Sequence, residues 1–192
     1  MILSTSQLQT LKAWINSNMP GQSTGDILAA LNATASPDYW VWKSSVSRAE
    51  CYNATSPTGS TWDWTTYKNQ GVSEQNAWTQ MFMGDVSNFG QLNVRSGVSK
   101  IFTGSAQANA QRDHILAVAR RKATTAEKLF GVAVTSPPAN TGNDGIAGNR
   151  GLASNPDVLG AEGTIDTQNV IDAINSYGKY SCLLQFGQIR LL

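Results

Sequence analysis

Apolar residues recur at helical spacing from the start of the chain. In STSQLQTLKAWIN, Leu8, Leu11, Trp14 and Ile15 fall on one face, and Ser4 followed by Gln7 forms a capping box. A short amphipathic helix is expected there, ended before Met19-Pro20-Gly21. Thr24 is expected to cap a second helix with Ile27, Leu28 and Leu31 inward. SPDYWVWKSSV then places Pro37 ahead of the aromatic cluster Tyr39, Trp40 and Trp42, which packs against a core as helix or strand. Residues 53–66, NATSPTGSTWDWTT, are turn-rich and poor in aliphatic side chains, and read as a surface excursion.

The middle of the chain returns to the helical period. Ser73 is expected to cap a helix through EQNAWTQMFMG with Trp78, Met81 and Phe82 buried, and Asn93 another through VRSGVSKIFTG with Val94, Val98, Ile101 and Phe102 on one face. Ser105 opens what reads as the longest helix, about 106–122, carrying Ile115, Leu116, Val118 and Ala119 inward. Thr124 and Glu127 form a second capping box before a turn of helix at 126–130. From Gly131 to about residue 161 no helical period survives. A stretch of that length without secondary structure is either functional or ordered only on binding. Thr167 is expected to cap a last helix with Val170, Ile171 and Ile174 inward, stopping at Gly178, and YSCLLQFGQIRLL closes the chain as a strand or extended tail.

The fold class expected is therefore mainly α: a small helical bundle with a long extended loop, a C-terminal arm and a short strand at the C-terminus. Residues 1–131 form the body, 132–161 a Gly/Pro/Asn-rich arm, and 162–192 the last helix and tail.

Composition narrows the partners. Charged residues make up 14% of the 192, against roughly 25% in ordinary soluble domains, and small neutral polar side chains fill the difference. Such a surface carries little repulsion and suits close apposition with other subunits. The net charge of +1 supplies no global field for DNA or anionic lipid. Charge is concentrated instead: residues 111–131 hold five cations and two anions, while residues 1–110 balance at six each. No leader pattern opens the sequence and no run approaches a membrane span, so neither secretion nor membrane insertion is expected. Cys51 and Cys182 belong to no CxxC pair and read as free thiols.

Catalytic constellations are not evident. His114 is the single histidine and has no ligand-type residue at metal spacing, so it reads as a surface or satisfied core residue. Neither a GxSxG elbow nor a GxxxxGK[ST] loop occurs. Neither an enzyme nor a cofactor or metal site is expected. Arg120, Arg121 and Lys122 would end the long helix, where cations meet the negative end of its dipole. Phosphate contact is the competing reading. The following TAEKLF offers one Lys, one Glu and two apolar residues, too little for a recognition helix that reads bases.

Three stretches, SEQNAWTQMF, LNVRSGVSKIFTGSAQANAQRDHILAVARRKATTAEKLFG and EGTIDTQNVIDAIN, resemble the small neck proteins of tailed bacteriophages, the head-to-tail connector or adaptor family. The resemblance covers roughly residues 73–131 and 162–175, with weaker echoes in the first two helices. ARRKATTAEKLF is its most distinctive part, through Arg120, Ala123, Ala126, Glu127, Lys128, Leu129 and Phe130. The sequence departs from the family in a longer linker and in continuing well past the last helix.

The resemblance implies a structural virion protein at the head–tail junction, made in the host cytoplasm. It would form a homo-oligomeric ring of about twelve copies through heterologous interfaces. Its partners would be the portal protein, the tail or a second neck protein, and, non-specifically, genome DNA in the central channel, with no membrane. Arg112, Arg120, Arg121, Lys122, Lys128, Leu129 and Phe130 would form an assembly joint or line the channel. Pro137, Pro138, Ile146, Arg150, Leu152, Phe186 and Ile189 would be contacts of extended arms that order on assembly. Another tail-proximal role, as a tail terminator or completion protein, and a DNA-binding regulator are the alternatives.

Overall fold

The computed structural model describes residues 2–132, 151–154, 156–159 and 162–176. In chain order the elements are α1 (Thr5–Asn18), α2 (Thr24–Asn32), β1 (Trp40–Trp42), β2 (Val46–Ser47), α3 (Arg48–Asn53), α4 (Trp64–Lys68) and α5 (Val72–Met81). They continue with β3 (Val86–Ser87), α6 (Leu92–Ile101), α7 (Ala106–Val118), β4 (Arg120–Lys122), α8 (Thr125–Phe130), β5 (Gly131–Val132), β6 (Val158–Leu159) and α9 (Thr167–Asn175). The fold is helix-rich, with short strands paired in two-stranded ribbons. None of the described helices is long and apolar enough to cross a membrane.

The chain divides into two compact units, and residues 1–131 contribute to both. The first holds α1, α2, α8 and α9 around Leu11, Ile15, Ile27, Leu31, Ala126, Phe130, Ile165, Val170 and Ala173. Ser4 and Gln7 form the expected capping box on α1. The hydroxyl that caps α2 belongs to Ser23, with Thr24 as the first helical residue, and Asp166 rather than Thr167 caps α9. In α9 the inward positions are Asn169, Val170 and Ala173, whereas Ile171 and Ile174 are 38% and 44% exposed. The helix ends at Asn175, before Gly178. Lys12 closes that end by donating to the carbonyls of Ile174 and Ser176 at 2.9 and 2.8 Å, placing a cation on acceptors the helix leaves open. Asn32 donates to the Ile165 carbonyl and accepts from the Ile165 amide, both at 2.9 Å, fixing the entry to α9.

The second unit is built on aromatic packing. Trp62, Trp78, Phe82, Phe89 and Phe102 are buried with Trp42, Val46, Val98, Ile101 and Ile115. Trp78 is fully buried, its ring 4.8 Å from Phe82, 5.4 Å from Phe102 and 5.5 Å from Trp62, and its indole N–H donates to the Tyr52 hydroxyl at 3.0 Å. The 53–66 segment is thus not simply a surface excursion: Trp62, 8% exposed, sinks into the core, and Trp64 begins α4. Aromatic side chains replace the missing aliphatic ones as anchors. Gly71 and Gln91, not Ser73 and Asn93, precede α5 and α6, and neither makes a side-chain cap. Arg95 is buried with its guanidinium over the Trp42 ring at 4.8 Å and donates to the Phe89 carbonyl. His114 is a satisfied core residue, and Cys51 is buried, its thiol pushed up to about 12 by loss of solvent, with the Glu50 charge adding to the effect.

The helix opened by Ser105 stops at Val118, making α1 at 14 residues longer than α7 at 13. Arg120–Lys122 leaves the helical path to pair antiparallel with β1, in the register Trp40 to Lys122, Val41 to Arg121 and Trp42 to Arg120. The other edge of β1 is also occupied. Trp40 donates its amide to the Gly151 carbonyl at 2.6 Å, and Asp157 exchanges backbone bonds with Trp40 and Trp42 at 2.9 and 3.0 Å. The described part of the expected arm, residues 151–154 and 156–159, is therefore packed on its own chain. It closes with β6 pairing β5. This sheet pairing satisfies backbone groups that a free arm would leave to water.

Candidate assembly joint

ARRKATTAEKLF passes from one unit to the other between Ala123 and Thr124, giving β4 to the second and α8 to the first. Residues opposite one another in an antiparallel pair share a face. Arg120 and Lys122 therefore stand with Trp42 and Trp40, and Arg121 shares the other face with Val41. The Arg120 guanidinium lies 5.8 Å from the Trp40 ring centroid and the Lys122 ammonium 5.9 Å, both within reach of the ring's negative face. Arg120 also donates to the Ala153 carbonyl, and burial holds its pKa below the usual value against the opposing pull of Asp113. Lys122 pairs with Asp38 at 2.7 Å with both side chains about half exposed.

The three cations are thus not the last turn of a helix, and the dipole gives no account of them. Pairing with β1 distributes them over two faces. Arg120 and Arg121 are half-buried, and Lys122 is the exposed member of the three. Arg112 sits apart on α7, bonded to Asp113 at 2.8 Å and Asn109 at 3.1 Å.

In α8 the second capping box forms as expected: the Thr124 amide donates to Glu127 at 3.0 Å, and the Glu127 amide to the Thr124 hydroxyl at 3.2 Å. Glu127 is 2% exposed, and its second oxygen accepts from the Gly163 amide at 3.2 Å. One carboxylate therefore caps the helix and clips the approach to α9. Phe130 is buried in the core of the first unit, Leu129 packs against that core, and Lys128 is partly exposed. Replacing Glu127 with Gln puts an N–H₂ where one of two backbone amides needs an acceptor. The expected loss is about 2 kcal/mol of stability, read by urea denaturation, with faster hydrogen exchange at Gly163.

Among the arm residues, Leu152 is 46% exposed beside β1. Pro137, Pro138, Ile146, Arg150, Phe186 and Ile189 lie outside the described residues, as does the expected C-terminal strand. The partners that sequence reasoning missed are Asp38, Trp40 and the Ala153 carbonyl. A run of three cations does not reveal that its strand mate lies some 80 residues earlier. Among the described residues there is no group of three His, Cys, Asp or Glu side chains able to hold a metal. A cleft of about 320 Å³ between α4 and the start of α7 is lined by polar side chains, including Asp63, Asn69, Gln70 and Gln107. Comparison with protein-family models, curated proteins and solved structures finds no match to the chain.

Proposed function

We propose that this chain is a structural virion protein of a tailed bacteriophage, a head–tail adaptor that assembles as a ring between the portal and the tail around the DNA channel. The carrying observation is ARRKATTAEKLF, the most distinctive part of the resemblance. Its folded form supports the reading: Leu129 and Phe130 are anchored, Glu127 fixes the start of α8, and Lys122 is exposed on a protein otherwise poor in charge. Low charge fits surfaces that meet other subunits, since interface cores are depleted in charged side chains. The protein works by assembly, with the portal on one side, the tail or a second neck protein on the other, and genome DNA passing non-specifically through the ring.

Quantitative peptide mass spectrometry of purified particles tests this directly. About a dozen copies per particle are expected for one closed ring at the neck. Absence from particles would overturn the proposal. The variant Lys122→Ala is expected to fold normally and to leave filled heads without tails, counted by electron microscopy. Arg120 and Arg121 are kept because both are half-buried and Arg120 holds the Ala153 carbonyl.

A further inference from the structure

The fold brings together a serine and the single histidine from positions 54 residues apart. His114, on α7, is 1% exposed. Its Nε2 lies 2.9 Å from the Cys51 carbonyl oxygen, and its Nδ1 lies 3.2 Å from the Ser60 hydroxyl. A carbonyl only accepts, so Nε2 carries the proton. In the neutral ring Nδ1 is then an acceptor, and the Ser60 hydroxyl donates to it. The Ser56 hydroxyl, 2.6 Å from Ser60 Oγ, is left as the donor of that pair. The chain of hydrogen bonds has one direction: Ser56 to Ser60 to His114 to the Cys51 carbonyl.

This is the arrangement of an activated nucleophile: a hydroxyl on a base, and a base oriented by a third group. Ser60 is partly exposed, at the end of a turn held by the Ser56 amide on the Ser60 carbonyl and the Gly59 amide on the Ser56 carbonyl, both at 2.9 Å. The next residue, Thr61, is exposed, and its amide makes no hydrogen bond within the described chain. An amide directly after a nucleophile is a common donor to the oxyanion formed on attack.

We propose that Ser60 is a base-assisted nucleophile that takes an acyl group from small activated esters. Its Oγ forms a bond to the carbonyl carbon while its proton passes to His114 Nδ1. The carbonyl oxygen becomes an oxyanion facing the Thr61 amide. On collapse the carbon–oxygen bond to the leaving alcohol breaks, and that alkoxide takes the proton from His114. The product is a serine ester and a free alcohol, with no oxidant or reductant. The group orienting His114 is a neutral carbonyl, which stabilises the imidazolium less than a carboxylate does. The expected behaviour is therefore single acylation with slow release.

The experiment is reaction of the full chain with a fluorophosphonate and, separately, with p-nitrophenyl acetate, the adduct being mapped by peptide mass spectrometry. One adduct per chain at Ser60 is expected, formed at least about 100-fold faster than at exposed Ser4, Ser6 or Ser73 in the same molecule. Ser60→Ala should abolish it. His114→Gln retains a donor for the Cys51 carbonyl and removes the base, and should slow it by about 100-fold. Labelling spread evenly over the exposed serines, or unchanged in Ser60→Ala, would overturn the proposal. Ser4, Ser6 and Ser73 serve as comparators within the native chain, so the proposal stays falsifiable even where His114→Gln fails to fold.

Discussion

Replacing Trp78 with Ala is expected to lower the stability of the second unit by about 4 kcal/mol, the cost typical of removing a buried aromatic side chain and leaving a cavity. Trp78 has no exposed surface and touches Trp62, Phe82 and Phe102. Those three rings come from a loop and from the ends of α5 and α6, so no single element can move in to fill the space. The Tyr52 hydroxyl also loses its indole donor. Trp78→Phe separates the effects, keeping much of the ring contact while losing the donor, and is expected to cost about half as much. Urea denaturation followed by tryptophan fluorescence reads both variants. Equal losses would mean that the hydrogen bond, not the packing, dominates.

What is legible in the sequence is local. The boxes Ser4–Gln7 and Thr124–Glu127 are closed by residues three apart and need no knowledge of the rest of the chain. The burial of Leu129 and Phe130 follows from the same short-range reading. Strand β4 is not legible, because Ala119 is a good helix former and nothing in Arg120–Lys122 forbids helix. Its conformation is decided by bonds to Trp40–Trp42, a non-local choice that overrides propensity. The 53–66 segment misleads for a different reason: its turn residues do mark a loop, while Trp62 within it supplies the core contact. In α9, Ala173 takes the inward position that helical periodicity assigns to Ile171 and Ile174, since a small side chain fits where α1 and α2 approach closely. The Ser60–His114 pair lies beyond sequence reasoning altogether: the local bonds of Ser60 to Ser56 mark a turn, and nothing local points to a histidine 54 residues away.

Replacing Gly151 with Ala is expected to cost about 3 kcal/mol and to release Gly151 and Asp157 from β1. Gly151 has a φ of +73°, and a Cβ built on it would stand 2.2 Å from the Tyr39 ring. An alanine meets two penalties here: the left-handed backbone costs roughly 1–2 kcal/mol, and displacing a packed ring roughly 1–3 kcal/mol more. Tyr39 cannot swing away freely, because its hydroxyl donates to the buried Asp157 carboxylate. Gly59 provides the control. Its φ is +82°, yet nothing lies within 4 Å of an added Cβ, so Gly59→Ala should cost only the backbone share of roughly 1 kcal/mol. Hydrogen exchange at the Trp40 and Trp42 amides distinguishes local release from global destabilisation, since these two donate to the Gly151 and Asp157 carbonyls. Selective loss of their protection in Gly151→Ala, with Lys43, whose amide bonds the Ala119 carbonyl, still protected, would establish that the segment is clamped to its own chain through Tyr39. A loss no larger than that of Gly59→Ala would mean that the ring yields, and that the clamp rests on the backbone pairing alone.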